Sequence, residues 1–211
     1  MALFAKTNGT GQRMSEIKAG DVKELRERTG AGMMDCKRAL QETSGDMDAA
    51  VDYLRKKGAA AAEKRVGKDA REGVVESYIH HSRKVGVLVE LNCETDFVAR
   101  TDQFLELARD LAMHVAASDP IAVAREDVPE DVVERERAIF LAQVKEAGKP
   151  EHIADKIVDG KLRKFFEERT LLEQKYVKDP EVKVADRIME TQSQLGEKIA
   201  VGRIVRFKVG E

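Results

Sequence analysis

From Val85 to Asn92 the chain alternates. Val85, Val87, Val89 and Leu91 fall on one side, and Gly86, Leu88, Glu90 and Asn92 on the other. This period-two pattern is that of a strand with a buried face. Gly73–His80 has the same character, and the polar residues His81–Lys84 between the two runs predict a β-hairpin. After Asn92 the alternation stops. Cys93, Glu94, Thr95, Asp96 and Phe97 fit neither a continued strand nor a helix start, so a large aromatic falls in a short loop leaving the sheet. Thr101 and Asp102 read as N-cap residues for a helix whose stripe is Phe104, Leu107, Leu111 and Val115. A loop Phe either tucks back onto its own domain or, at a rigid strand end, anchors a partner. The pattern alone leaves both readings open for Phe97.

On the amino-terminal side, three short amphipathic helices are predicted, about Asp21–Thr29, Met33–Thr43 and Met47–Lys57, with Gly30, Gly45 and Gly58 as their stops. Residues 15–58 then form a small three-helix module of marginal independent stability. Residues 59–72 are Ala-rich and charged and read as a linker, and residues 73–211 as the core. Beyond the Asp119-Pro120 turn, Pro129 and Pro150 open two helices that predict an antiparallel helical hairpin over about 129–175. Lys178-Asp179-Pro180 reads as a turn, and Glu181–Leu195 as a further helix. Lys198–Lys208 reads as a last strand with Ile199, Val201, Val205 and Phe207 on one face, interrupted by Arg203. The fold class is therefore α+β, a three-helix module followed by a three-stranded antiparallel sheet with helices.

Composition narrows the function. Charged residues make up 36% of the chain and aromatics 5%, with no Trp, which suits solvent-washed amphipathic helices better than a β-sandwich. The net charge of −2 gives no global pull toward nucleic acid or a membrane. Cys36 and Cys93 form no CxxC motif, so a reducing compartment is the default, and no apolar run is long enough to span a membrane. Residues 1–14 lack the apolar centre of a signal peptide and read as a leader. His80 and His81 lack a third ligand at a telling spacing, so a turn or partner-contact role is expected in place of a metal site. His114 is expected to be a packed or surface histidine.

Several stretches carry a family resemblance. Val22–Leu40 (VKELRERTGAGMMDCKRAL), with the spacing to Ser44–Gly58 (SGDMDAAVDYLRKKG), is similar to the ubiquitin-associated-like module of bacterial translation elongation factor Ts. NCETDFVAR resembles the signature of that family, and GKPEHIADKIVDGKLRKFF, LLEQKYVKDP and IVRFKVGE resemble its carboxyl-terminal half. The resemblance implies a guanine nucleotide exchange factor that binds elongation factor Tu, both GDP-bound and nucleotide-free. In the family, the signature Asp and Phe enter the partner's nucleotide domain and disturb its Mg²⁺ and diphosphate site. Carried over, Thr95, Asp96, Phe97 and Val98 are the residues that dislocate the partner's Mg²⁺. Val22, Leu25, Met33, Met34, His80 and His81 are candidate partner contacts, with His80 and His81 competing for the family's turn histidine. The chain has room for one core subdomain where long members have two. It resembles the short bacterial or organellar type, which implies a homodimer. A cytoplasmic site of action, no cofactor and no covalent chemistry are expected.

Two other readings compete. Glu94 and Asp96 offer a carboxylate pair for acid–base chemistry, but no Ser-His or Cys-His constellation, P-loop or zinc motif accompanies them. A nucleic-acid or ribosome-binding adaptor is disfavoured by the balanced charge.

Overall fold

Apolar positions at helical spacing build the first of two units, residues 1–64, and the hairpin with its covering helices builds the second, residues 65–211. The computed structural model describes residues 17–63, 65 and 67–211. The expected leader lies outside these residues, as do Lys64 and Val66 of the expected linker.

The first unit contains α1 (Ala19–Thr29), α2 (Met33–Glu42) and α3 (Met47–Glu63). Val22 and Leu25, Cys36 and Leu40, and Ala50 and Leu54 each present one helix's stripe to a common core. Gly30 ends α1 in the left-handed region, at φ 64°, where a side chain would be strained. Asp35 and Lys57, 2.6 Å apart, join α2 to α3. Gly58 does not end α3, contrary to the sequence expectation. An internal glycine costs about 1 kcal/mol relative to alanine, and the four alanines that follow are the best helix formers, so the helix runs on to Glu63.

The second unit is built on β1 (Glu72–Ile79), β2 (Val85–Cys93) and β5 (Ala200–Lys208), antiparallel in the order β1-β2-β5. Val87, Val89, Leu91 and Cys93 of β2 are buried on the inner face. They pack beneath α5 (Asp102–Ser118) and α8 (Val184–Leu195), with Phe104, Leu107, Leu111, Val184 and Ile188 among the residues of that core. Thr101 caps α5 as expected, its hydroxyl accepting the Phe104 N–H.

The apolar face expected for β5 is split in two. Leu91 pairs with Val201 and Glu90 with Arg203, leaving Gly202 as an extra residue in a bulge. Ile199 and Val201 therefore pack inward, and so does Ile204, whereas Val205 and Phe207 point out. The outer face of the sheet places Ser77, Leu88 and Val205 in one register row and Ile79, Gly86 and Phe207 in the next. Val75, Ile79, Leu88, Val205, Phe207 and Val209 are all exposed.

A second correction concerns Glu181–Lys183. These residues are not helical. They belong to β4 (Asp179–Lys183), which pairs with β3 (Lys175–Tyr176) in a small ribbon, and α8 starts only at Val184. Pro180 sits in β4, a strand that pairs on one side only, where the missing N–H is tolerated.

The expected hairpin is formed by α6 (Glu130–Glu146) and α7 (Glu151–Arg169), with Val144, Ala154, Val158 and Leu162 as their seam. Its base is fixed by backbone bonds from Leu171 N–H to the Ala122 carbonyl (2.9 Å) and from Leu172 N–H to the Val123 carbonyl (3.0 Å). Among the described residues no helix is long and apolar enough to cross a membrane.

A buried polar group joins the ribbon to the core. His114, fully buried, accepts the Val177 N–H at Nδ1 (3.1 Å) and faces the Gln174 Oε1 with Nε2 (2.9 Å). Gln174 in turn donates to the Ser118 and Glu168 carbonyls. Nearby, Asp110 accepts the Tyr176 hydroxyl at 2.6 Å and pairs with Lys178. The neutral ring thus carries its proton on Nε2, and charging it requires a proton at Nδ1, where Val177 already donates. Burial holds the His114 pKa below the ordinary imidazole range. The folded chain therefore binds fewer protons than the unfolded chain once pH falls below about 6.5, and stability falls with it. The melting temperature should be highest above that range and drop on acidification. His114→Asn, which cannot titrate, should show a flatter pH profile. An unchanged pH slope in that variant would exclude His114 as the cause.

Candidate functional site

The stretch after β2 is not the irregular loop that its sequence implies. Cys93 completes β2, and Asp96–Ala99 form a single helical turn, α4. Thr95 is its N-cap, in extended conformation, with its hydroxyl accepting the Val98 N–H at 3.4 Å. At the other end, the Thr101 hydroxyl donates to the Val98 carbonyl at 2.8 Å. Helical geometry places Val98 and Ala99 on one side and Asp96, Phe97 and Arg100 on the other. Ala99 is buried and Val98 packs against the core. Phe97 is 81% exposed, so it does not tuck back onto its own domain.

One turn of helix has little stability of its own, so the surroundings must hold it. The Glu197 carboxylate accepts both the Thr95 N–H (3.0 Å) and the Thr95 hydroxyl (2.7 Å). The Cys93 thiol donates to the Thr95 carbonyl at 3.1 Å, and burial, with the nearby Glu197 charge, raises its pKa. Glu94 accepts the Lys198 N–H and the Lys68 ammonium, both at 2.7 Å, and the Lys68 hydrogen bond lowers its pKa. Asp96 is paired with Arg100 at 2.9 Å on the exposed side of the turn. Glu94 and Asp96 are therefore committed to different cationic partners, and the carboxylate pair of the enzyme reading is not formed.

The other candidates lie apart from this turn in role and setting. His80 is half-buried, with Nδ1 3.2 Å from the Tyr78 hydroxyl. His81 is exposed at the hairpin turn, its ring centroid 4.1 Å from that of His80. In the first unit Val22 and Leu25 are buried in the core, while Met33 and Met34 are 51% and 69% exposed. Among the described residues there is no group of three or more His, Cys, Asp or Glu side chains able to hold a metal ion. Sequence reasoning missed Glu197, which lies 102 positions from its partner Thr95. No local pattern links them. The only available cue was a carboxylate directly after the glycine that ends α8.

Comparison with known proteins agrees with this architecture over most of the chain. The family model described as Elongation factor TS matches residues 14–211. Elongation factor Ts of Desulfosudis oleivorans is 57% identical over 198 residues, covering 94% of this chain and 100% of the relative. Elongation factor Ts of Syntrophobacter fumaroxidans is 56% identical over 195 residues, covering 92% and 98%. That of Moorella thermoacetica is 58% identical over 195 residues, covering 92% and 96%. With a family match across both units and identity of this order over nearly whole relatives, the chain belongs to the elongation factor Ts family, whose members are nucleotide exchange factors for elongation factor Tu in translation elongation.

Proposed function

We propose that this chain binds elongation factor Tu carrying GDP, presents the Asp96–Phe97 turn to the partner's nucleotide site, displaces Mg²⁺ there and so promotes GDP release. The observation that carries this reading is Phe97, 81% exposed on a turn held at both ends. Burying such a ring contributes about 1.5–3 kcal/mol before ordering costs. The Asp96–Arg100 pair is an exposed ion pair, the type that contributes only about 0.2–1 kcal/mol. Asp96 can therefore exchange Arg100 for a hydrogen-bond donor of the partner at little cost. Thr95 and Val98 hold the turn from beneath, and His81, with His80 behind it, offers a second contact at the hairpin turn. The exposed Met33 and Met34 of the ubiquitin-associated-like module add affinity through a separate contact, for which Val22 and Leu25 supply the supporting core.

The active form proposed is a homodimer acting in the cytoplasm, without nucleic acid, membrane or cofactor. The outer sheet face supports it: one side of the sheet carries the core helices, and the other exposes Ile79, Leu88, Val205 and Phe207 together. A second copy brings the same face, and an isologous sheet-on-sheet contact would cover both.

The test is release of a fluorescent GDP from elongation factor Tu, titrated with the chain. Acceleration that saturates is expected. Removing residues 15–58 should raise the concentration needed for half-maximal effect and leave the saturated rate unchanged. No acceleration at any concentration of the full chain would refute the reading.

A further inference from the structure

We infer that Glu197 is a positioning residue for exchange: its carboxylate holds Thr95 so that α4 keeps Phe97 presented outward. The inference rests on the reading of Phe97 given above.

The geometry is specific. A carboxylate has two oxygens, and here both go to one residue, Oε2 to the Thr95 N–H and Oε1 to the Thr95 hydroxyl. The second bond fixes the hydroxyl rotor. With its proton on Glu197, the Thr95 oxygen has lone pairs left to accept the Val98 N–H, the capping bond of the turn. Negative charge beside the first N–H groups of a helical turn is also electrostatically favourable. The supporting loop is itself tied down on both sides of Glu197. Gly196 closes α8 at φ 76°, the Lys198 N–H goes to Glu94, and the Ile199 N–H goes to Gln192 Oε1 at 3.0 Å. The start of β5 and the end of β2 are thereby laced together beneath the turn. Both carboxylate oxygens are spent on Thr95, so Glu197 acts on Phe97 through that residue.

The test compares Glu197→Ala and Glu197→Gln in the full chain, each in the presence and absence of Phe97→Ala. Glu197→Ala is expected to lower the saturated rate of GDP release about tenfold, and by no more than Phe97→Ala does. In the Phe97→Ala background it should cause no further loss, because the residue it positions is gone. Glu197→Gln should recover most of the rate, its amide oxygen accepting the Thr95 N–H and its amide nitrogen donating to the hydroxyl. Amide hydrogen exchange at Thr95 and Val98 should quicken in Glu197→Ala, with the melting temperature little changed.

A wild-type saturated rate for Glu197→Ala would overturn the inference. So would an equal loss with and without Phe97, which would mean that Glu197 acts elsewhere. If instead Phe97→Ala alone releases GDP at the wild-type rate, the reading of Phe97 fails. The Thr95 clamp is then judged by amide exchange, and unchanged protection at Thr95 and Val98 in Glu197→Ala would overturn it too.

Discussion

Replacing Phe97 with alanine is expected to leave the chain folded and to cost about 5–150-fold in its preference for nucleotide-free over GDP-loaded elongation factor Tu. The side chain is 81% exposed, so no core contact is lost. The argument is one of linkage. Whatever weakening the factor imposes on GDP, GDP imposes on the factor. A side chain that held both forms of the partner equally would tighten the complex and shift nothing. Phe97 accelerates release only if its ring fits better once the Mg²⁺ and phosphate site has been disturbed. Its removal should therefore weaken binding to the empty form more than binding to the GDP form. The measurement is stopped-flow release of a fluorescent GDP at saturating factor, with and without Mg²⁺. A wild-type rate at saturation would reduce Phe97 to an anchor and sink the displacement mechanism. Asp96→Ala should move in the same direction, after release of Arg100 from its ion pair.

A larger effect is expected at the outer sheet face. If the proposed homodimer forms through this face, Val205→Lys together with Phe207→Lys should convert it to a monomer without unfolding it, since both side chains point away from the core. In a two-fold contact each substitution counts twice. Removing roughly 2 kcal/mol of apolar burial at four positions sums to about 8 kcal/mol. Even half of that is a weakening of about 1,000-fold, and the four new charges would also be desolvated. Light scattering at micromolar concentration should report twice the chain mass for the wild type and the chain mass for the variant. A wild type that is already monomeric and fully active in exchange would eliminate the dimer from the mechanism.

The parts of this fold that were legible from sequence are those decided locally. The β1–β2 hairpin followed from period-two apolar runs around a polar turn, and the α5 cap from Thr101. The hairpin helices followed from two prolines at helix starts. What was misread depended on contacts distant in sequence. The Asp96–Ala99 turn has too few residues to show a period, and it is helical because Thr95 is held by Glu197. The apolar positions of β5 alternate without a break from Ile199 to Phe207 except at Arg203, so nothing in their pattern announces a bulge at Gly202. The β3–β4 ribbon is too short for a strand signal, and its Lys-Asp-Pro stretch carries turn chemistry. Phe97 itself was legible as a candidate, but its exposure was not. That depended on Val98 and Ala99 taking the inward positions.

The bulge at Gly202 also bears on how the last strand finds its place during folding. β5 is synthesised after β1 and β2, and it meets a β1–β2 hairpin that a short turn can register early. Two frames are open to it. Regular alternation would lay Arg203, Val205 and Phe207 against the helices, whereas the bulged frame lays Ile204 and Arg206 there and keeps Arg203 outside, 2.7 Å from Glu90. Each frame turns one arginine inward, so hydrophobic collapse does not by itself choose the observed pairing. Arg206 supplies the choice. In the bulged frame its largely buried guanidinium lies 3.3 Å from Asp119 and 3.1 Å from Glu211. The carboxyl-terminal strand is thus sorted by charge after the rest of the sheet has been sorted by oil, and the aromatic left over on the outside becomes available to another chain.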